Sequence, residues 1–134
     1  MEEAFQSAVP DHKPVVLVVE DESPIRSMVS DYLRDVGFAV IEARSAGEAV
    51  AIFAALVPVD LVFTDVDMPG TMDGLMLASW VRENHPAVPV IVASGVAELR
   101  DDHRADCLLQ KPYSPRGLER KIRELLGEAT KTNG

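Results

Sequence analysis

The sequence holds a single cysteine, Cys107, so no internal disulfide can staple the chain. Lack of disulfides fits a reducing compartment. Aromatic residues are scarce at 5%, which leaves Val, Ile, Leu and Ala to build the interior; apolar residues in total reach 47%. Basic residues are outnumbered, 13 Lys and Arg against 22 Asp and Glu, for a formal net charge of -9. Such an acidic chain repels phosphate backbones and anionic lipid, which argues against direct nucleic-acid or membrane binding. No apolar run approaches the roughly 20 residues needed to cross a bilayer. The segment Met1 to Pro10 carries Glu2 and Glu3 and lacks the basic-then-apolar layout of a signal peptide. These absences lead to the expectation of a soluble, cytoplasmic protein.

The 134 residues suit one domain. Residues 1–13 read as a flexible lead-in, 14–127 as the domain and 128–134 as a polar tail. Within the domain a strand-then-helix unit recurs. Val15 to Val19 is a continuous β-branched run, the pattern of a strand buried on both faces. Ser23-Pro24 reads as an N-cap with proline at the first helical position, Ile25 to Val36 follow at helical spacing, and Gly37 closes the helix. Phe38 to Ala43 predicts a second strand, and Ser45 with Glu48 predicts a capping box ahead of a helix with Val50, Phe53 and Ala54. Leu61 to Thr64, Val90 to Ala93 and Cys107 to Gln110 predict three more strands. Helices are expected from Leu75 to Asn84, stopped by His85-Pro86, and from Pro115 to Gly127. Strands alternating with helices imply a parallel sheet covered on both faces. The fourth crossover, between Ser94 and Cys107, has few apolar anchors among many charges, so its helix is expected to be short or disordered.

In a parallel sheet, residues just beyond the strand ends gather along one edge. Here they are Glu20-Asp21-Glu22, Asp65, Ser94 and Lys111, whereas the second strand ends in Arg44-Ser45. With strand order 2-1-3-4-5, the first and third strands meet at the switch point where open α/β sheets bind ligands. Carboxylates converging there need counter-charge. Lys111 supplies one, and a divalent cation with hard oxygen ligands, magnesium or manganese, would supply the rest. A carboxylate beside such an ion and a lysine is suited to attack phosphorus in line. A hydroxyl at Ser94 could donate to the phosphoryl oxygen.

Five segments carry a specific resemblance. They are Val16 to Glu22, Asp60 to Gly70, Met72-Asp73-Gly74, Val92 to Gly95, and Lys111-Pro112-Tyr113. In this order they resemble the receiver domain of bacterial response regulators, with a match running from about Pro14 to Gly127. The resemblance implies a flavodoxin-like (βα)5 fold and a Mg-dependent phosphoacceptor at Asp65. It implies Asp21 as a direct metal ligand, Glu20 as one acting through water, Asp65 itself as a further ligand, and Asp67 offering its backbone carbonyl. Ser94 becomes the switch hydroxyl and Lys111 the phosphate-pairing base, followed by a cis bond to Pro112. The implied partners are a sensor histidine kinase or phosphotransfer protein and a downstream effector protein.

Three departures qualify the resemblance. Thr71 lengthens the loop after Asp65. The stretch from Ser94 to Lys111 is shorter than usual, as in stand-alone receivers with a short fourth helix. Leu108 stands where many receivers carry a switch Tyr or Phe. With no output domain after Gly127, the expectation is a single-domain regulator that docks on another protein or drains a kinase as a phosphate sink. A segment from Gly95 to Asp106 is expected to be mobile and to become ordered on phosphorylation.

Two alternatives compete. Asp65-Val66-Asp67 resembles the Asp-x-Asp of haloacid-dehalogenase-type phosphatases, but Pro69 stands where that motif has threonine, and the motif belongs on a first strand. A degenerate receiver that binds partners without phosphorylation is the other. Taken singly, Asp21 and Glu22 could serve only as helix-start anions and Asp65 as a turn residue. His12, His85 and His103 read as surface residues, Cys107 as a buried strand residue and Trp80 as packing.

Overall fold

Buried β-branched runs become the interior strands of one parallel sheet. In the computed structural model, which describes residues 12–95 and 105–127, five strands form: β1 (Val15–Val19), β2 (Ala39–Ala43), β3 (Leu61–Asp65), β4 (Val90–Ser94) and β5 (Cys107–Gln110). Four helices are found among the described residues: α1 (Ser23–Asp35), α2 (Ala46–Ala54), α3 (Gly74–Asn84) and α4 (Pro115–Leu125). The sheet order is β2-β1-β3-β4-β5 and every pairing is parallel. This is the α/β doubly wound arrangement that the alternation predicted. The crossover from β4 to β5, with its expected short helix, His103 and all of the expected mobile segment except Gly95, Ala105 and Asp106, falls on residues 96–104, outside the described residues, as do 1–11 and 128–134.

The two-residue period of a strand divides the core in two. Leu17 and Val19 of β1, with Val62, Val90 and Val92, face α2 and α3. Val16 and Val18, with Leu61, Phe63, Ile91 and Ala93, face α1 and α4. Each of these side chains is nearly or wholly buried. At about 1.5–3 kcal/mol for a fully buried aliphatic side chain, the two layers supply the main force that flattens the helices onto the sheet.

Some local expectations are corrected. The N-cap of α1 is Glu22 rather than Ser23, with no side-chain cap bond, because proline occupies the first turn and the Glu22 N–H is taken by the Glu20 carboxylate at 3.0 Å. Ser45 does cap α2, accepting from Glu48 N at 3.1 Å, but the Glu48 carboxylate accepts from Arg44 N at 2.7 Å instead of closing the box on Ser45. Phe38 lies just before β2 and is buried, and Gly37 adopts φ +112° after α1, a conformation that favours glycine. Cys107 is half-buried rather than buried. His85 is not a free surface residue: its ring stacks on Phe53 at 4.4 Å and tilts on Trp80 at 5.5 Å.

At the edge where the strands begin, two aspartates act alike. Asp60 Oδ2 accepts from Val15 N, and Asp106 Oδ2 from Val90 N, each at 2.7 Å. Each carboxylate caps the first residue of a neighbouring strand.

Candidate phosphoacceptor and metal site

At the opposite edge, β1 and β3 run side by side, so the residues just past Val19 and the last residue of β3 are forced together. Glu20 continues the β1–β2 ladder by one bond, its N–H donating to Ala43 O at 3.0 Å. Asp65 is the last residue of β3 and pairs with Ala93 of β4, which puts Ser94 one step beyond it. Carboxylate oxygens of Glu20, Asp21 and Asp65 lie within 4.8 Å of one another. Glu20 and Asp65 are buried and Asp21 is exposed, so the cluster has a closed floor and an open rim.

Lys111 approaches from the end of β5. Its N–H donates to Ser94 O at 2.8 Å, its peptide bond to Pro112 is cis as the resemblance implied, and its Nζ reaches Asp65 Oδ1 at 2.7 Å. Burial disfavours the lysine's charge, yet contact with Asp65 and the charges of Asp65, Glu20 and Asp67 outweigh it and raise its pKa. Apart from that ammonium, Asp65 Oδ1 has no hydrogen-bond partner among the described residues. Glu20 is pushed up to about 7, first by burial and then by the neighbouring charges of Asp65 and Asp21, against one opposing bond from Glu22 N–H. Three carboxylates facing one lysine are short of positive charge. An all-oxygen donor set that is charge-starved, with one member driven toward its neutral form, fits a hard divalent cation.

The backbone around Asp65 is braced from below. Its carbonyl accepts from Thr64 Oγ1 at 2.9 Å, Val66 N donates to Ala93 O, and Gly74 N donates to Val66 O. A Cβ on Gly74 would collide with the Asp65 carbonyl and come within 2.8 Å of Val66 Cα, so the first residue of α3 must be glycine. Asp73 caps that helix by accepting from Met76 N at 2.8 Å.

Of the residues expected at the site, Glu20, Asp21, Asp65 and Lys111 come together. Ser94 is buried at the adjacent strand end. Asp67 lies exposed in the loop just past Asp65. Leu108 packs half-buried on the core shared with α2 and α3.

Two contributors have no counterpart among the expected site residues. Tyr113 lies beyond Pro112 with its ring edge-on to Phe63 at 5.5 Å. Its phenol is pushed up to about 12 by burial and by the charges of Glu20 and Asp65. With Glu20, Ile25, Met28, Lys111 and Pro112 it lines a cleft of about 410 Å³ beside the carboxylates. The second is Arg26, whose Nη1 donates to Glu20 O at 2.8 Å. No local pattern announces it, because the contact depends on how the start of α1 lies across the end of β1.

A family model described as the response regulator receiver domain matches residues 16–123. The chain belongs to this family. Receiver domains are signalling modules, and the Asp-x-Asp at the end of β3 is therefore not that of a phosphatase. Among curated relatives, a probable transcriptional regulator, ycf27 of Porphyra purpurea, is 36% identical over 126 residues, covering 90% of this chain and 51% of its own. The transcriptional regulatory protein ResD of Bacillus subtilis is 32% identical over 123 residues, covering 88% of this chain and 50% of its own. The receiver thus spans about half the length of these relatives. Among solved structures, TrrA of Thermotoga maritima in complex with Mg(2+)-BeF aligns with a TM-score of 0.76 at 29% identity, over 84% of this chain and 98% of that one. A CheY-like receiver from Methanospirillum hungatei aligns with a TM-score of 0.79 at 27% identity, over 90% and 99%. Among the described residues, no helix is long and apolar enough to cross a membrane.

Proposed function

We propose that this receiver accepts a phosphoryl group on Asp65 from a histidine kinase or phosphotransfer protein in a reaction that needs magnesium or manganese. The observation that carries the reading is the cluster of Glu20, Asp21 and Asp65 oxygens within 4.8 Å, with Lys111 Nζ 2.7 Å from Asp65 Oδ1. The likeness to a receiver solved with Mg(2+)-BeF supports the same ion class.

An Asp65 oxygen forms the new P–O bond as the P–N bond of a phosphohistidine breaks, and the imidazole nitrogen keeps the electron pair. Glu20, Asp21 and Asp65, with the Asp67 carbonyl, would hold a divalent cation, which would offset charge on the phosphoryl oxygens. Lys111 pairs with a phosphoryl oxygen as the Asp65 charge passes into the new bond. Ser94 donates its hydroxyl to another. Burial of Asp65 keeps bulk water from screening these contacts.

The modified domain then acts in the cytoplasm by changing its affinity for an effector protein, or it drains a kinase as a phosphate sink. A long-lived phosphoryl form with a partner that prefers it marks the first; fast transfer and fast loss mark the second.

Intact mass after incubation with a small phosphodonor tests the proposal. One added phosphoryl group is expected with magnesium, and none without it or in Asp65→Asn. A wild-type chain that stays unmodified by donor and by phosphorylated kinases alike would instead identify a degenerate binding module.

A further inference from the structure

Arg26 sits in α1, away from the cluster of acids, yet it grips the chain that presents them. Its side chain is only 13% exposed. One arm, Nη1, donates to Glu20 O at 2.8 Å; another, Nε, donates to Glu42 Oε1 on β2 at 3.2 Å. Glu42 is itself anchored, its other oxygen 3.2 Å from Arg34 Nη2. The guanidinium therefore ties the peptide between Glu20 and Asp21 to α1 and to the edge strand at once.

That peptide carries Asp21 into the cluster. Glu20 has its N–H held by Ala43 O and its carboxylate held by Glu22 N–H. Asp21 is exposed, and only its carboxylate neighbours Glu20 and Asp65 stand near its side chain in the cluster, so the backbone that carries it is the part Arg26 can fix. The carbonyl that Arg26 holds belongs to the peptide leading directly into it.

We propose that Arg26 is a positioning residue for the divalent cation: by fixing the Glu20–Asp21 peptide it sets the affinity of the site. The inference rests on the metal-dependent reading of the carboxylate cluster. The sign of the expected effect separates it from simple electrostatics. A guanidinium near a cation site repels the cation, so a purely electrostatic role would let Arg26→Ala bind magnesium more tightly. Positioning requires weaker binding, and outer-shell supports of this kind are worth about 10- to 100-fold in metal affinity.

Magnesium titration calorimetry on the wild type, Arg26→Ala, Arg26→Lys and Glu42→Gln tests this, with folding of each checked by denaturation. The expected result is at least about tenfold weaker binding in Arg26→Ala, partial recovery in Arg26→Lys and a several-fold loss in Glu42→Gln. Unchanged or tighter binding in a folded Arg26→Ala overturns the inference while leaving the metal site standing. If Arg26→Ala does not fold, wild-type affinity in both Arg26→Lys and Glu42→Gln overturns it. Absence of magnesium binding in the wild type overturns both the inference and the reading beneath it.

Discussion

Where the strands begin, Asp60 and Asp106 each accept a backbone N–H at 2.7 Å from the strand beside them, and each has a basic side chain of its own, His12 at 3.7 Å and Arg82 at 3.4 Å. Where the strands end, Glu20, Asp21 and Asp65 crowd within 4.8 Å and share one ammonium. The residue type is the same at both edges. What differs is the ratio of acids to donors, and that ratio separates an anchor from a binding site. At the first edge the fold satisfies its charges by itself. At the second it leaves a deficit that an ion and a phosphoryl group can fill.

The strongest way to break the contrast is Gly74→Ala. The added methyl meets the Asp65 carbonyl and Val66 Cα, so either α3 or Asp65 must move. Overpacking of this kind costs about 1–3 kcal/mol. A displacement of about 1 Å at a reacting group can cost up to roughly a hundredfold in rate, so phosphoryl acceptance should fall by at least tenfold. Urea unfolding and phosphorylation kinetics on the same preparation would read both effects.

The next effect concerns pH. Glu20 is raised from 4.5 to about 7, so between those values the folded chain holds a proton that the unfolded chain has lost. Stability without metal should therefore fall as pH rises from about 4.5 to about 7. Glu20→Gln should flatten the slope, and saturating magnesium should reverse it by favouring the ionised carboxylate. Thermal melts across that range, with and without magnesium, check the sign.

Asp106→Ala attacks the other edge. It strips the acceptor from the buried start of β4 and should cost about 1–3 kcal/mol in urea unfolding, with phosphoryl acceptance unchanged. Loss of acceptance with full stability would erase the distinction between the edges. The smallest effect belongs to neither edge: the Ser30 hydroxyl is buried in α1 without a hydrogen-bond partner among the described residues. Ser30→Ala should be neutral or stabilising by up to about 1 kcal/mol, and a larger loss would reveal an acceptor.

The sequence made the strands legible because continuous Val and Ile runs have few other uses, and the bounds of β1 and β5 match their expected runs. Glu20, Asp21, Asp65 and Lys111 were legible because their places depend only on which strand each follows. Arg26 and the contact of Gly74 with Asp65 were not, since both depend on how a helix start lies across a neighbouring strand end. His85 misled for a similar reason. A histidine before proline reads as a helix stop, and nothing local announces the Phe53 ring beneath it. Glu22 displaced Ser23 as the cap because Glu20 had already fixed its backbone.

Glu42 has a consequence outside signalling. It sits near the end of β2, an outermost strand whose far side has no strand partner among the described residues. An open strand edge invites a second molecule to add to the sheet, and a charge on that strand discourages it. The ion-paired group that Glu42 forms with Arg26 and Arg34 would thus also oppose self-association along that edge, and dismantling it would threaten solubility at the concentrations where chains first meet.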